Sequence, residues 1–296
     1  MKLNLQVSSM TIRESLHSSS YETNLSLDRL STGLHVNKAS DDPSGLSIAD
    51  KLRTQASSIS QGIENINNGI ALTQITDKAM SEQSNILDII KQKLIQASTA
   101  TTSIDGANAI AKDISKLLEQ IDNIAKQTTY NGQLLLQLSA GGNDGTGTSI
   151  FQVGTLATDT IQLNGGIASN VSGLGMDAVE GATSAGSGTF GVNTVTGTAK
   201  SAQTAARALM DDVDNSLSQL NSWRADIGST QSQLESSKNN LNTSVTNLKN
   251  AESVIRDTNY AKESANFSKS NIIGEAGTYA LSQANALQDN VLSILR

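Results

Sequence analysis

The sequence predicts a mainly α fold: a long antiparallel coiled-coil or helical bundle built from both halves of the chain, with a small β-hairpin-rich central region. Three observations predict it. From Val213 the chain places an aliphatic residue at every seventh position, through Leu220, Ile227, Leu234, Leu241, Leu248 and Ile255. A second ladder of the same period runs through Leu52, Ile59, Ile66, Thr73, Met80, Leu87 and Leu94. Between the two lies a block rich in Gly, Ser and Thr, from Ser139 to Lys200, whose apolar runs are short and β-branched. A strict seven-residue repeat drifts about 20° per heptad on a straight helix, so each seam must wind left-handedly around a partner. The seams lie in opposite halves of the chain, which makes each the natural partner of the other.

Taken in order, residues 8–34 read as a helix with a sparse apolar face. Leu16, Leu27, Leu30 and Leu34 lie near that face, interrupted by Ser20 and Thr23. So thin a stripe offsets little ordering entropy, and the helix is expected to be disordered until neighbours cover it. Asp41 and Asp42 precede Pro43, the one proline. Pro is pre-set for a first helical turn, and an aspartate beside it caps the following amides. No third oxygen ligand follows at calcium spacing, so capping is the reading of the aspartate pair. The second helix carries the Leu52–Leu94 ladder, flanked by Ile63 and Ile70. A third carries Ile110, Ile114, Leu117, Ile121 and Ile124 at alternating steps.

Asn131-Gly132 is a tight-turn pair. In the central block, hairpin strands are expected at Ser149–Val153, Thr160–Leu163 and Thr189–Val192, separated by the turns Asn143–Gly145 and Asn164–Gly166. The long Val213–Ile255 helix opens on Asp211, Asp212 and Asp214, which oppose its dipole. A last helix is expected from Ser264 to Leu295. It carries one row at Ile273, Ala280, Leu287 and Ile294, and beside it another at Gly277, Ala284 and Val291. Small residues there let a partner helix approach closely. The N-terminal helix is that partner, so both termini read as unfinished surfaces completed by assembly.

Of the 296 residues, 37% are apolar and 3% aromatic, which suits slim bundles with thin cores. The net charge of -7 offers no footprint for nucleic acid or anionic lipid. No apolar run is long enough to cross a membrane, and Met1–Gln6 lacks the pattern of a cleaved secretory signal. The absence of cysteine excludes disulfides and thiol chemistry. His17 and His35 sit in no ligand cluster. The glycine-rich runs lack a phosphate-loop ending, and no serine sits in a nucleophile elbow. No enzyme, cofactor or metal is expected.

The stretch Leu30-Ser31-Thr32-Gly33-Leu34, leading through Asn37 to Asp41-Asp42 and Gly45-Leu46-Ser47-Ile48-Ala49, closely resembles the N-terminal signature of bacterial flagellins. The resemblance continues through Asn67–Gln74, Ile121–Ala125, Thr129–Gly132, Phe151–Gly154, Ser282–Asn285 and Val291–Arg296. It implies a filament subunit that polymerises head-to-tail for swimming motility. Residues 1–42 and 257–296 would pair as an inner tube, 43–139 and 200–256 would form the long-helix wall, and 140–199 would face outward. It implies a homopolymer exported, without a cleaved leader, through the flagellar type III apparatus to the extracellular filament. Its partners would be an export chaperone on the C-terminal helix and the hook–filament junction and filament cap proteins.

One departure concerns receptor recognition. In many flagellins the segment aligned with Leu87–Gln96 carries an Arg and a Leu contacted by an animal Toll-like receptor. Here Ile89 and Lys93 stand at those positions and Gln92 at a neighbouring acidic one, which resembles the receptor-evasive subset. The rival readings are a hook–filament junction protein sharing both termini, and a coiled-coil surface adhesin, for which no anchor is visible.

Overall fold

The computed structural model describes residues 5–137, 149–163, 167–177, 179 and 199–294. In chain order the elements are α1 (Leu5–Thr32), α2 (Pro43–Ala97), α3 (Ile104–Gln127), β1 (Thr129–Tyr130), β2 (Gln133–Leu134), β3 (Ser149–Gln152), β4 (Thr160–Leu163), α4 (Ala199–Arg256) and α5 (Tyr260–Ile294). The fold is mainly α, as its sequence predicts. The chain forms two compact units, one of Met1–Ser57 with Ser244–Arg296 and one of Ser58–Thr243.

The Ser58–Thr243 unit contains the thicker core. Met80, Leu87 and Leu94 from α2, Ile114 and Ile121 from α3, and Val213, Leu220 and Ile227 from α4 are wholly buried. These are residues at helical spacing, so each helix turns one stripe inward and leaves its polar positions wet. Helix α2 runs antiparallel to both others. Gln83 and Lys93 meet Ile121 and Asp113 of α3, while Asp77 and Lys91 meet Arg224 and Asp214 of α4. Local chemistry starts and stops the helices. Ser103 caps α3 by accepting from the Gly106 amide at 3.1 Å, and the Thr128 amide closes it onto the Ile124 carbonyl. Asp42 Oδ1 accepts from the Ser44 amide at 3.0 Å, so the aspartate caps α2 beside Pro43.

Two additions lie on this bundle. The antiparallel β3–β4 hairpin lies against α2, where Gly62 and Gly69 clear a bed for it. A Cβ on Gly62 would strike the Val153 carbonyl, and one on Gly69 would come within 3.1 Å of the Phe151 ring. Between them, Asn65 donates to the Gln152 carbonyl at 3.0 Å. A further segment fills the core with Ile167, Val171, Leu174, Met176 and Val179. It is tied down by Gln83, whose amide donates to both the Ile121 and Ser169 carbonyls. Asn131 (φ 51°) and Gly132 (φ 81°) make the left-handed turn between β1 and β2. The expected Thr189–Val192 strand and the Asn143–Gly145 and Asn164–Gly166 turns lie outside the described residues.

Truncating a wholly buried seam residue leaves a cavity that the rigid bundle fills only in part. Leu87→Ala is expected to lower unfolding stability by about 2–5 kcal/mol, read as a shifted urea midpoint in circular dichroism.

Candidate assembly site

The unit made of Met1–Ser57 and Ser244–Arg296 pairs α1 with α5, and its seam is of another kind. On α1 the inward row is Ile12, Leu16, Ser19, Thr23, Ser26 and Leu30, at alternating steps of four and three. On α5 it is Glu263, Phe267, Ser270, Gly274, Gly277, Leu281 and Ala284, at the same steps. Six of these thirteen positions are Ser, Thr or Gly, so the helices can come very close but bury little apolar surface. Leu16 lies over Gly277, where an added Cβ would sit 2.8 Å from its Cδ2. Ser19 Oγ donates to the Ser270 carbonyl at 2.8 Å. Arg29 Nη1 stands 3.9 Å from Glu263 Oε1, and Glu263 is 4% exposed. Contacts that climb α1 descend α5, so the pair is antiparallel.

A clip joins the two connecting segments of this unit. Gly33, in the left-handed region at φ 74°, ends α1 by donating to the Arg29 carbonyl. His35 N donates to the Arg256 carbonyl at 2.7 Å, and Thr258 N donates to the Gly33 carbonyl at 2.9 Å. Arg256 reaches Asp50 and Glu252 at 3.7 and 3.9 Å. Asp41 accepts the amides of Lys38 and Asn37, and these hydrogen bonds hold its carboxyl below the usual range. Lys38 is raised by its bond to Asp28.

The structure places the residues read from sequence as follows. Along α2 and α4, Ile66, Met80, Leu87, Leu94, Val213, Leu220, Ile227 and Leu234 are buried, whereas Leu52, Ile59, Leu241, Leu248 and Ile255 are half-buried. On α1, Leu16 and Leu30 face the seam, while Leu27 is exposed. Leu34 is not on α1 at all. Gly33 turns the chain there, and Leu34 instead bridges to Asp257. On α5, Ala284 lies in the seam, but Ile273 and Ala280 only flank it and are exposed. The side chains of Leu287, Val291 and Ile294 lie outside the described residues. The side of α5 opposite the seam carries Ile272 and Tyr279, 65% and 76% exposed. Val7, Met10 and Tyr21 form an exposed stretch on α1.

Sequence reading missed the inward serines. A search for aliphatic rows skips Ser19, Ser26 and Ser270, although their spacing was the available signal. In the structure α1 is a helix whose inward row lies against α5. In the other unit, Ile89 and Gln92 are exposed, and Lys93 pairs with Asp113 at 2.7 Å. That pair holds the Asp113 carboxyl below its usual range. Among the described residues no cluster of metal-ligating side chains occurs, and no helix is long and apolar enough to cross a membrane.

Comparison with known proteins places this architecture. The bacterial flagellin N-terminal helical region matches residues 3–140, and the bacterial flagellin C-terminal helical region matches residues 210–295. Flagellin of Bacillus subtilis (strain 168) is 32% identical over 100% of both chains. This chain belongs to the bacterial flagellin family. Flagellin A of Helicobacter mustelae is 45% identical over 48% of this chain and 27% of its own length. The chain thus spans about a quarter of that flagellin's length. The crystal structure of Bacillus cereus flagellin aligns with a TM-score of 0.46 and 22% identity, over 60% of this chain and 88% of that one. In this flagellin the two family regions supply α1 and α5, the helices that pair in the Met1–Ser57 and Ser244–Arg296 unit.

The close approach of α1 to α5 depends on Gly277. Gly277→Val is expected to push Leu16 off α5 and weaken the terminal pair, leaving the Ser58–Thr243 unit folded. Hydrogen exchange should show protection lost across residues 5–32 and 260–284 and retained in α3.

Proposed function

We propose that this chain is a structural subunit of the bacterial flagellar filament, polymerising head-to-tail with copies of itself outside the cell. The observation that carries the reading is the outward side of α5. Ile272 and Tyr279 are exposed on the side of α5 opposite α1, and Ile273 is exposed at the edge of the α1 seam. A family built to self-associate accounts for that surface, and a contact between different patches that does not close on itself generates a helical polymer. The seam residues of α1, α2, α4 and α5 would then serve packing within the subunit, and the outward rows packing between subunits. Residues 1–42 and 257–296 would line the inner tube, 43–139 and 200–256 would form the wall, and 140–199 would face solvent.

The same reading supplies the partners. Export would run through the flagellar type III apparatus, with the chain unfolded. Its support is a chain with no cysteine and one proline, which leaves few slow steps on refolding. An export chaperone would cover the outward side of α5 in the cytoplasm, where it is an aggregation liability. Junction and cap proteins would bound the polymer at its two ends.

Seeding tests the assembly reading. Purified chain added to sheared filament fragments is expected to lengthen them under negative stain, and Ile273→Glu is expected to abolish the lengthening while α-helical content stays unchanged. Unmodified chain that remains monomeric beside active seeds would overturn the proposal.

The second part of the proposal is poor recognition by the Toll-like receptor. Its support is the exposed Ile89 and Gln92, and Lys93 committed to Asp113 where an apolar contact is the family pattern. Ile89→Arg with Lys93→Leu is expected to raise reporter-cell signalling over the unmodified monomer at equal dose. Breaking the exposed Lys93–Asp113 pair should hardly disturb folding. Strong signalling by the unmodified monomer would sink this part alone.

A further inference from the structure

The five methionines of the chain differ in their access to water. Met80 and Met176 are wholly buried in the Ser58–Thr243 unit, and Met210 packs partly buried against the same core. Met1 lies outside the described residues. Met10 is 67% exposed, on the side of α1 opposite its inward row. Val7 and Tyr21 share that side, with the exposed Glu14 and His17 between them. The exposure of Met10 does not require α1 to be seated on α5, since an unpaired α1 leaves the same side chain in water.

A thioether in contact with solvent is open to oxidants, and one in a packed core is shielded from them. The reaction needs hydrogen peroxide as its co-reactant. The Met10 Sδ lone pair attacks one peroxide oxygen, and the O–O bond breaks. Sulfur is oxidised by two electrons to a sulfoxide. The other oxygen leaves as hydroxide and takes the remaining proton to become water. An apolar, flexible side chain thus becomes a polar one with a strong acceptor oxygen. Such a group costs free energy wherever it is covered without a donor. Reduction returns it to the thioether, so the change is reversible. No cysteine competes for the oxidant.

We propose that Met10 is an oxidation switch for subunit addition. Its sulfoxide keeps a free chain out of the polymer, and a second copy of the chain that covers Val7 and Met10 shields the thioether once a subunit is in place. Met10 is suited to this because it is the one exposed methionine among the described residues, and it lies beside apolar Val7 on a side of α1 that nothing in the single chain covers. This deepens the assembly reading and rests on it for the identity of the covering copy. Which methionine oxidises first is a property of one chain.

Brief peroxide treatment of the full-length monomer, followed by peptide mass mapping, is expected to oxidise Met10 about tenfold or more faster than Met80 and Met176. The oxidised chain is expected not to lengthen sheared filament seeds that the untreated chain lengthens, and methionine sulfoxide reductase is expected to restore lengthening. Met10→Leu, of similar volume and without sulfur, is expected to keep lengthening seeds after the same treatment. Met10→Gln, a polar stand-in for the sulfoxide, is expected to stop lengthening without peroxide. In intact filaments Met10 is expected to oxidise about tenfold or more slowly than in the free chain. The proposal is overturned by equal rates at Met10 and Met80, by equal rates at Met10 in filament and free chain, or by an oxidised chain that still lengthens seeds. A treated Met10→Leu chain that stops, or a Met10→Gln chain that lengthens seeds at the native rate, overturns it as well. An untreated chain that fails beside active seeds overturns the assembly reading and the block with it, while a sulfoxide mapped first to Met10 supports the site.

Discussion

Everything in the Ser58–Thr243 unit depends on one constraint, the exclusion of water from the seam between α2, α3 and α4. Met80, Leu87, Leu94, Ile114, Ile121, Val213, Leu220 and Ile227 reach zero exposure there. Each such side chain contributes about 1.5–3 kcal/mol by leaving water, whereas the ion pairs outside the seam are exposed and contribute little. The pairs Lys91–Asp214, Lys93–Asp113 and Arg224–Asp77 therefore act as markers of antiparallel order more than as sources of stability. The hairpin and the 167–179 segment are accessories to that core. They attach where Gly62 and Gly69 let a backbone approach and where Gln83 supplies donors to their carbonyls.

The terminal pair inverts this balance. Its seam buries Ser19, Ser26, Ser270 and Glu263, while Ile272, Ile273 and Tyr279 stay exposed. A unit arranged so is marginal alone, because it buries too little apolar surface to offset the ordering of two long helices. That is a defect in a monomer and an asset in a polymer subunit, since the exposed rows gain their stabilisation only when a neighbour covers them.

Much of the architecture was legible from the residues. The seven-residue spacing of Leu52 through Leu94 and of Val213 through Ile255 identified helices and their inward stripes, because a side chain every seventh position falls on one side of a helix whatever its partner. Asp42-Pro43 and Asn131-Gly132 were legible for a local reason: capping and left-handed turns involve only a few consecutive residues. The candidate site was less legible. Two rows on α5 had equally good spacing, and spacing carries no sign that says which row faces in. The serines of the seam were invisible to a search for aliphatic rows.

By itself, the sequence determined which stretches are helical, which stripes are apolar, and the family through its terminal motifs. These follow from short-range chemistry and from periodicity, which one chain displays in full. It did not determine where the long helix begins: α4 starts at Ala199, so Asp211, Asp212 and Asp214 lie well inside it and do not oppose its dipole. Only the tertiary structure decided that Leu34 leaves α1 at Gly33 and bridges to Asp257. The rows Ile273–Ala280 and Gly277–Ala284 likewise divided between solvent and seam only there, as did the beds Gly62 and Gly69 clear for the hairpin. The reason is physical. Each of those outcomes depends on a contact between residues far apart in the chain, and its geometry does not exist until both partners are in place.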